Sequence, residues 1–146
     1  MKIKTIIAAA LTGAALTVSS SMTANDLMTP ETLWSMHRLG SFAVSPQGDR
    51  VVYTLSTPDI QANKNRTAIL TIGIDGTRRK RLTTGQESEV EPTFIADGKR
   101  IAFLKGGDLW TMDCEGQDRK QLSKTGDIEG FKFSPDGKQV IVIRQV

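Results

Sequence analysis

The residues able to do chemistry in this chain are few, and their spacing argues against a catalytic centre built from them. There is one histidine, His37, and one cysteine, Cys114. A metal centre made of imidazole and thiolate ligands cannot be assembled from one of each. Nucleophilic catalysis needs a nucleophile beside a base, with a third group orienting the base. His37 sits in LWSMHRLG with no such partner nearby in sequence, so it reads as a helix residue packing near an interface. Cys114 lies in LWTMDCEG, a strand-like run, and reads as a buried, inert thiol. A single cysteine in an exported protein can form no internal disulfide. Asp108 and Trp110, beside Gly106-Gly107, could contact a ligand. The turn chemistry favours Asp108 bonding a turn amide and Trp110 wedged between sheets. Arg78-Arg79-Lys80-Arg81 is the one dense basic run, and it lacks the interleaved aromatics of a nucleic-acid surface. It reads as a solvated strand end. No catalytic, cofactor-binding or metal-binding residue is assigned, and no cofactor is expected; no loop clusters carboxylates in the manner of a calcium site.

The elements that must position these side chains begin after a leader. Lys2 and Lys4 precede an apolar run from Thr5 to Val18, too short to span a bilayer comfortably, which then passes into small and polar residues. This is the layout of a secretory signal peptide, expected to cover residues 1–24 with cleavage near Ala24. Periplasmic or secreted placement follows as an expectation, with no stable membrane anchor. Setting the two leader lysines aside leaves 17 of the 19 basic residues against 16 acidic ones, so the net charge of +3 falls to +1. That balance does not favour nucleic acid as a partner.

The rest of the chain repeats itself. VSPQGDRVVYT at 44–54, FIADGKRIAFL at 94–104 and FSPDGKQVIVI at 133–143 are copies of one turn-then-strand phrase. Proline presets the first turn position and glycine accepts the left-handed backbone that reverses the chain. Ala96 replaces the proline in the second copy, so that turn is expected to be held less firmly. A second phrase recurs forty residues apart, Leu70–Gly76 against Trp110–Gly116, and Arg81-Leu82-Thr83 matches Gln121-Leu122-Ser123. The first copy carries about ten extra residues, Thr57 to Arg66, read as a lengthened hairpin loop.

A lead-in strand, a strand after the glycine, a third across a hairpin and a short fourth, recurring at this period, describe the blade of a β-propeller. Ile101 and Phe103 would face one way and Ala102 and Leu104 the other, so both faces are apolar, as in a sheet stacked between neighbours. The expected fold is all-β. It is a partial β-propeller of about two and a half four-stranded blades after one short helix. Residues 25–40 form a linker with that helix, blade 1 spans about 41–90, blade 2 about 91–129, and blade 3 starts in 130–146. The helix has Thr29 as N-cap, Pro30 at its first position and Gly40 to end it. Because a propeller closes with roughly four to eight blades, the chain reads as a fragment of a longer protein or a truncated reading frame, unless several copies assemble to close a ring.

LMTPETLWSMHRLGSFAVSPQGDRVVYT, residues 27–54, followed by GGDLWTMDCEG and QLS, resembles the start of a secreted prolyl oligopeptidase-family serine peptidase, in the branch of dipeptidyl-peptidase V and acylaminoacyl peptidases. The resemblance covers residues 25–146. It implies a propeller gating access to a C-terminal α/β-hydrolase domain that carries a Ser-Asp-His triad and cleaves dipeptides or short N-terminal units from oligopeptides. None of that triad is in this chain: it has no GxSxG, and its one histidine lies in the lead-in. The chain alone is expected to be inactive, its partners being peptide substrates of the full-length protein and the hydrolase domain. A non-catalytic TolB-like periplasmic propeller that mediates protein interactions is the alternative, and a sugar lyase with metal ligands in later blades is a weaker third.

Overall fold

A computed structural model of the chain describes residues 28–144. The expected leader, residues 1–24, lies outside the described residues. The chain enters through a short helix, α1 (Pro30–Ser35), capped by Thr29, whose side-chain oxygen accepts the Thr32 N–H at 3.1 Å. The helix ends sooner than the sequence suggests. Met36 is already extended, and β1 (Arg38–Val44) follows at once. A six-residue helix with no buried residue gains too little to outlast a competing ladder. Here Arg38 and Leu39 pair with Ser56 and Leu55. His37 is therefore not a helix residue, and Gly40 does not end the helix. A Cβ on Gly40 would lie 2.5 Å from Oγ1 of the buried Thr54, so this glycine serves a close approach between strands.

Two complete antiparallel sheets and the start of a third follow. β1, β2 (Arg50–Asp59), β3 (Lys64–Gly73) and β4 (Lys80–Arg81) form the first, in sequence order. β5 (Glu89–Ile95), β6 (Arg100–Lys105), β7 (Asp108–Asp113) and β8 (Lys120–Gln121) form the second, and β9 (Ile128–Phe133) pairs with β10 (Val140–Arg144) in the third. Each blade's first strand begins two or three residues before the sequence estimate of 41, 91 and 130. The first strands β1 and β5 lie beside one another, and β5 also lies against β2 and β3. Each first strand carries a bulge at the same level, between Leu39 and Phe42, between Val90 and Thr93, and beside Ile128.

The core is made between the sheets. Val52, Ile69 and Leu82 of the first meet Ile101, Phe103 and Met112 of the second, all buried. Ala102, Leu104 and Leu109 on the opposite face of the second sheet meet Ile128, with Phe131 and Phe133 packed alongside. The alternation along β6 thus supplies both joints, as its sequence implied. Burying a Phe or Ile side chain is worth about 1.5–3 kcal/mol, so each joint holds a substantial part of the stability of its two blades.

The turns explain the repeated phrase. The Ser45 hydroxyl donates to Asp49 at 2.7 Å and accepts the Arg50 N–H, while Gly48 takes a positive φ of 71°. Ser134 and Gln139 repeat the arrangement in blade 3, with Asp136 accepting the serine hydroxyl. The second copy makes a different turn: Ala96 and Asp97 have φ of 51° and 56°, a region closed to proline. Its alanine marks a change of turn type. Residues 57–66 also differ from expectation. The ladder continues through Thr57↔Arg66, Pro58↔Asn65 and Asp59↔Lys64, so most of the insertion is a projecting two-stranded arm. Asp59 stiffens it by pairing with Arg66 at 2.8 Å and accepting the Ala62 N–H at 3.0 Å.

Candidate functional site

The side chains singled out by their chemistry are not brought together. His37 shares a hydrogen bond of 3.0 Å with Thr57 Oγ1 in an exposed position. This pair fastens the exit of α1 to the base of the β2–β3 arm, and among the described contacts no carboxylate orients the ring. Cys114 is partly buried; its thiol donates to the Gly98 carbonyl at 3.0 Å, and burial lifts its pKa above the ordinary value. It is held away from the thiolate form that reacts. Among the described residues no group of His, Cys, Asp and Glu could hold a metal ion, and no helix is long and apolar enough to cross a membrane.

The basic run is tied down. Lys80 and Arg50 both reach Glu115, at 2.5 Å and 3.7 Å, across the joint between blades 1 and 2. Arg81 donates to the carbonyls of Thr83 and Thr84. A shallow cleft of about 380 Å³ lies among Arg50, Arg78, Arg79, Lys80 and Glu115. Asp49 and Asp75 are close enough to Arg78 for its charge to help hold their carboxyls below the usual range, after the hydrogen bonds from Ser45 and Thr77 that dominate. Cations and anions are interleaved there, which suits a joint better than a polyanion.

At the opposite rim, a groove of about 550 Å³ runs between α1 and the arm. Its walls include Pro30, Trp34, Pro58 and Ile60, and Trp34 and Ile60 are 57% and 67% exposed. It can hold apolar side chains and contains no nucleophile with a base. The arm makes this groove, and reading 57–66 as a loop concealed it.

Asp108 does what its turn chemistry suggested. Its Oδ1 accepts the Thr125 and Gly126 amides at 2.7 Å and 3.0 Å and the Ser123 hydroxyl at 3.2 Å; the Gly126 bond first among these holds its carboxyl below the usual range. Trp110 is half-buried against the joint between blades 1 and 2, with the Lys105 ammonium 5.2 Å from its ring centre. Glu89 escaped the sequence reading. It is 2% exposed and accepts the Thr83 hydroxyl at 3.2 Å; burial raises its carboxyl above the ordinary value, against the pull of Thr83, Lys105 and Arg119. The available signal was a charged residue where the following repeat has Ile128.

Comparison with known proteins supplies what these contacts do not. No family model matches the chain. It is 42% identical over 122 residues to dipeptidyl-peptidase 5 of Porphyromonas endodontalis, a match covering 80% of this chain and 18% of that protein. Against dipeptidyl-peptidase 5 of Porphyromonas gingivalis it is 40% identical over 151 residues, covering 99% of this chain and 22% of that one. The chain therefore spans about a fifth of the length of these relatives. Among solved structures it resembles the acylaminoacyl peptidase of Pyrococcus horikoshii, with a TM-score of 0.65 at 20% identity over 76% of this chain and 18% of that one. It also resembles the β-propeller domain of the Trilobed protease of Pyrococcus furiosus, with a TM-score of 0.58 at 20% identity over 73% of this chain and 33% of that one. Those two likenesses bear on the fold, and the closer sequence matches bear on descent. Blades stacked by apolar strands on both faces, entered through a short capped helix and related at this level to two dipeptidyl-peptidases, place the chain in the prolyl oligopeptidase family of serine peptidases, as part of its propeller.

Proposed function

We propose that the chain is the N-terminal propeller portion of an exported serine peptidase that releases dipeptides or short N-terminal units from oligopeptides. The propeller would gate entry to an α/β-hydrolase domain encoded beyond this sequence. One observation carries this reading: identity of 40–42% to proteins named dipeptidyl-peptidase 5, over 80–99% of the chain. The chemistry supports it indirectly. The described residues form a scaffold with closed joints and tied charges, and the nucleophile, base and oxyanion donors of an acyl transfer must come from elsewhere. The leader read in residues 1–24 supports export to the periplasm or medium.

The test uses the complete reading frame that contains this chain. The protein is purified and offered chromogenic amides of dipeptides, of single amino acids and of N-acylated residues, with a fluorophosphonate probe to mark an activated serine. Release from the dipeptidyl amides together with serine labelling supports the proposal. A folded full-length protein that neither labels nor hydrolyses any of them would falsify it. Residues 25–146 alone should hydrolyse none of these compounds. Fractionation of the producing cells tests export separately.

A further inference from the structure

We infer that the carboxylate closing each blade-to-blade joint is a transferable part of the repeat, supplied from the next blade by Glu89 at the first joint and from the same blade by Asp108 at the second. Both carboxylates serve one arrangement. Thr83 Oγ1 accepts the Ile69 N–H at 2.9 Å, and Ser123 Oγ accepts the Leu109 N–H at 2.8 Å. Each hydroxyl thereby satisfies the first amide of a third strand beyond the ladder of its short fourth strand. Its own hydrogen then needs an acceptor, since a buried donor left unmade is costly. Glu89 Oε2 accepts it at 3.2 Å in one joint and Asp108 Oδ1 at 3.2 Å in the other. Asp108 also accepts the amides of Thr125 and Gly126 in the linker to the next blade.

The two positions exchange content between repeats. The forty-residue spacing that matches Leu70 with Trp110 puts Ala68 where blade 2 has Asp108. The spacing that matches Phe94 with Phe133 puts Glu89 where blade 3 has Ile128. Ala68, Glu89 and Ile128 are 0%, 2% and 5% exposed. Each joint thus has one carboxylate and one apolar residue, in opposite places. The exchange has a mechanical consequence. Glu89 belongs to β5, so it fastens blade 1 to blade 2, whereas Asp108 belongs to β7 and fastens blade 2 to its own outgoing linker.

Amide hydrogen exchange on the full chain tests this, with the Ile69 and Leu109 amides as separate reporters. Glu89→Ile should cut protection at Ile69 by roughly tenfold or more, the scale of a lost hydrogen bond to a charged group, and leave Leu109 unchanged. Adding Ala68→Asp should return most of that protection. Glu89→Gln keeps an oxygen acceptor and should stay close to the parent at Ile69. Protection at Ile69 that is unchanged in Glu89→Ile overturns the inference, as does a double variant that shows no recovery while Val52 and Phe103 remain protected. If Glu89→Ile does not fold, recovery of the fold by Ala68→Asp supports it and failure of the double variant to fold overturns it.

Discussion

Gly107 lies directly against the carbonyl of Gly126, so closely that a Cβ at 107 would overlap it. The Ile128 N–H also donates to the Gly107 carbonyl at 2.9 Å, so this backbone contact seats the hairpin of blade 2 on the linker into blade 3. The neighbouring Gly106 provides an internal control. Both have positive φ, 60° and 76°, as a two-residue turn between β6 and β7 requires, but a Cβ at 106 meets nothing within 4 Å. Gly106→Ala should therefore cost about 1–2 kcal/mol, the penalty of a left-handed alanine. Gly107→Ala adds overlap with backbone that has no room to yield, and should cost about 1–3 kcal/mol more. Urea unfolding of both variants checks this; equal losses would mean that the two blades are not seated there.

The pH dependence of stability should carry the mark of Glu89. Burial raises its carboxyl above the ordinary value. The folded state then binds this proton more readily than the unfolded state, so the stability it contributes is fully present below the unfolded pKa and lost as pH rises through the folded one. Glutamine keeps the shape and does not titrate. The urea midpoint of Glu89→Gln relative to the parent should rise between acid and neutral pH. A change in the other direction would show that Lys105 and Arg119 outweigh burial at this site.

How much of this was legible in the sequence varied with the kind of interaction. The blades were, because Ile101 and Phe103 alternate with Ala102 and Leu104 and a two-residue period leaves no freedom about which side each faces. The turns at Gly48 and Gly137 were too, since serine, proline and glycine act locally. The end of α1 was not, because Met36 leaves the helix to serve a pairing of Arg38 with Ser56, a partner far along the chain. The arm was misread for a related reason: polar residues such as Asn65 and Arg66 look like a loop until Asp59 and the ladder order them. Glu89 was hidden because its partner Thr83 is set by how two blades meet, which local propensity does not record; the repeat spacing shows only a charged residue at the place of Ile128 and not what it bonds.

Blades 1 and 2 should lose stability together when their joint is damaged. Phe103 is 1% exposed and packs with Val52, Ile69 and Leu82 from the other sheet. Phe103→Ala leaves a cavity that backbone on both sides is too constrained to fill, with an expected loss of about 3–5 kcal/mol. Val52→Ala removes two methyl groups from the blade 1 side of the same cluster and should lower amide protection in β6 as well as in β2. Protection lost in β2 alone would mean that each blade holds itself together.

Cys114 should behave as part of the joint and not as a reactive thiol. Its Sγ donates to the Gly98 carbonyl in the turn between β5 and β6, and Arg50, whose guanidinium reaches the Cys114 carbonyl at 3.5 Å, only partly offsets the burial that raises the thiol pKa. A raised pKa lowers the thiolate fraction near neutral pH, and the thiolate is the form that attacks. Iodoacetamide at pH 8 should alkylate the native chain roughly tenfold or more slowly than the same chain in urea. Cys114→Ser retains a donor for Gly98, while Cys114→Ala loses it at a cost of about 0.5–1.5 kcal/mol, the net worth of such a bond. Native alkylation as fast as in urea would mean that the turn at Gly98 opens readily, and Cys114→Ala should then cost nothing measurable.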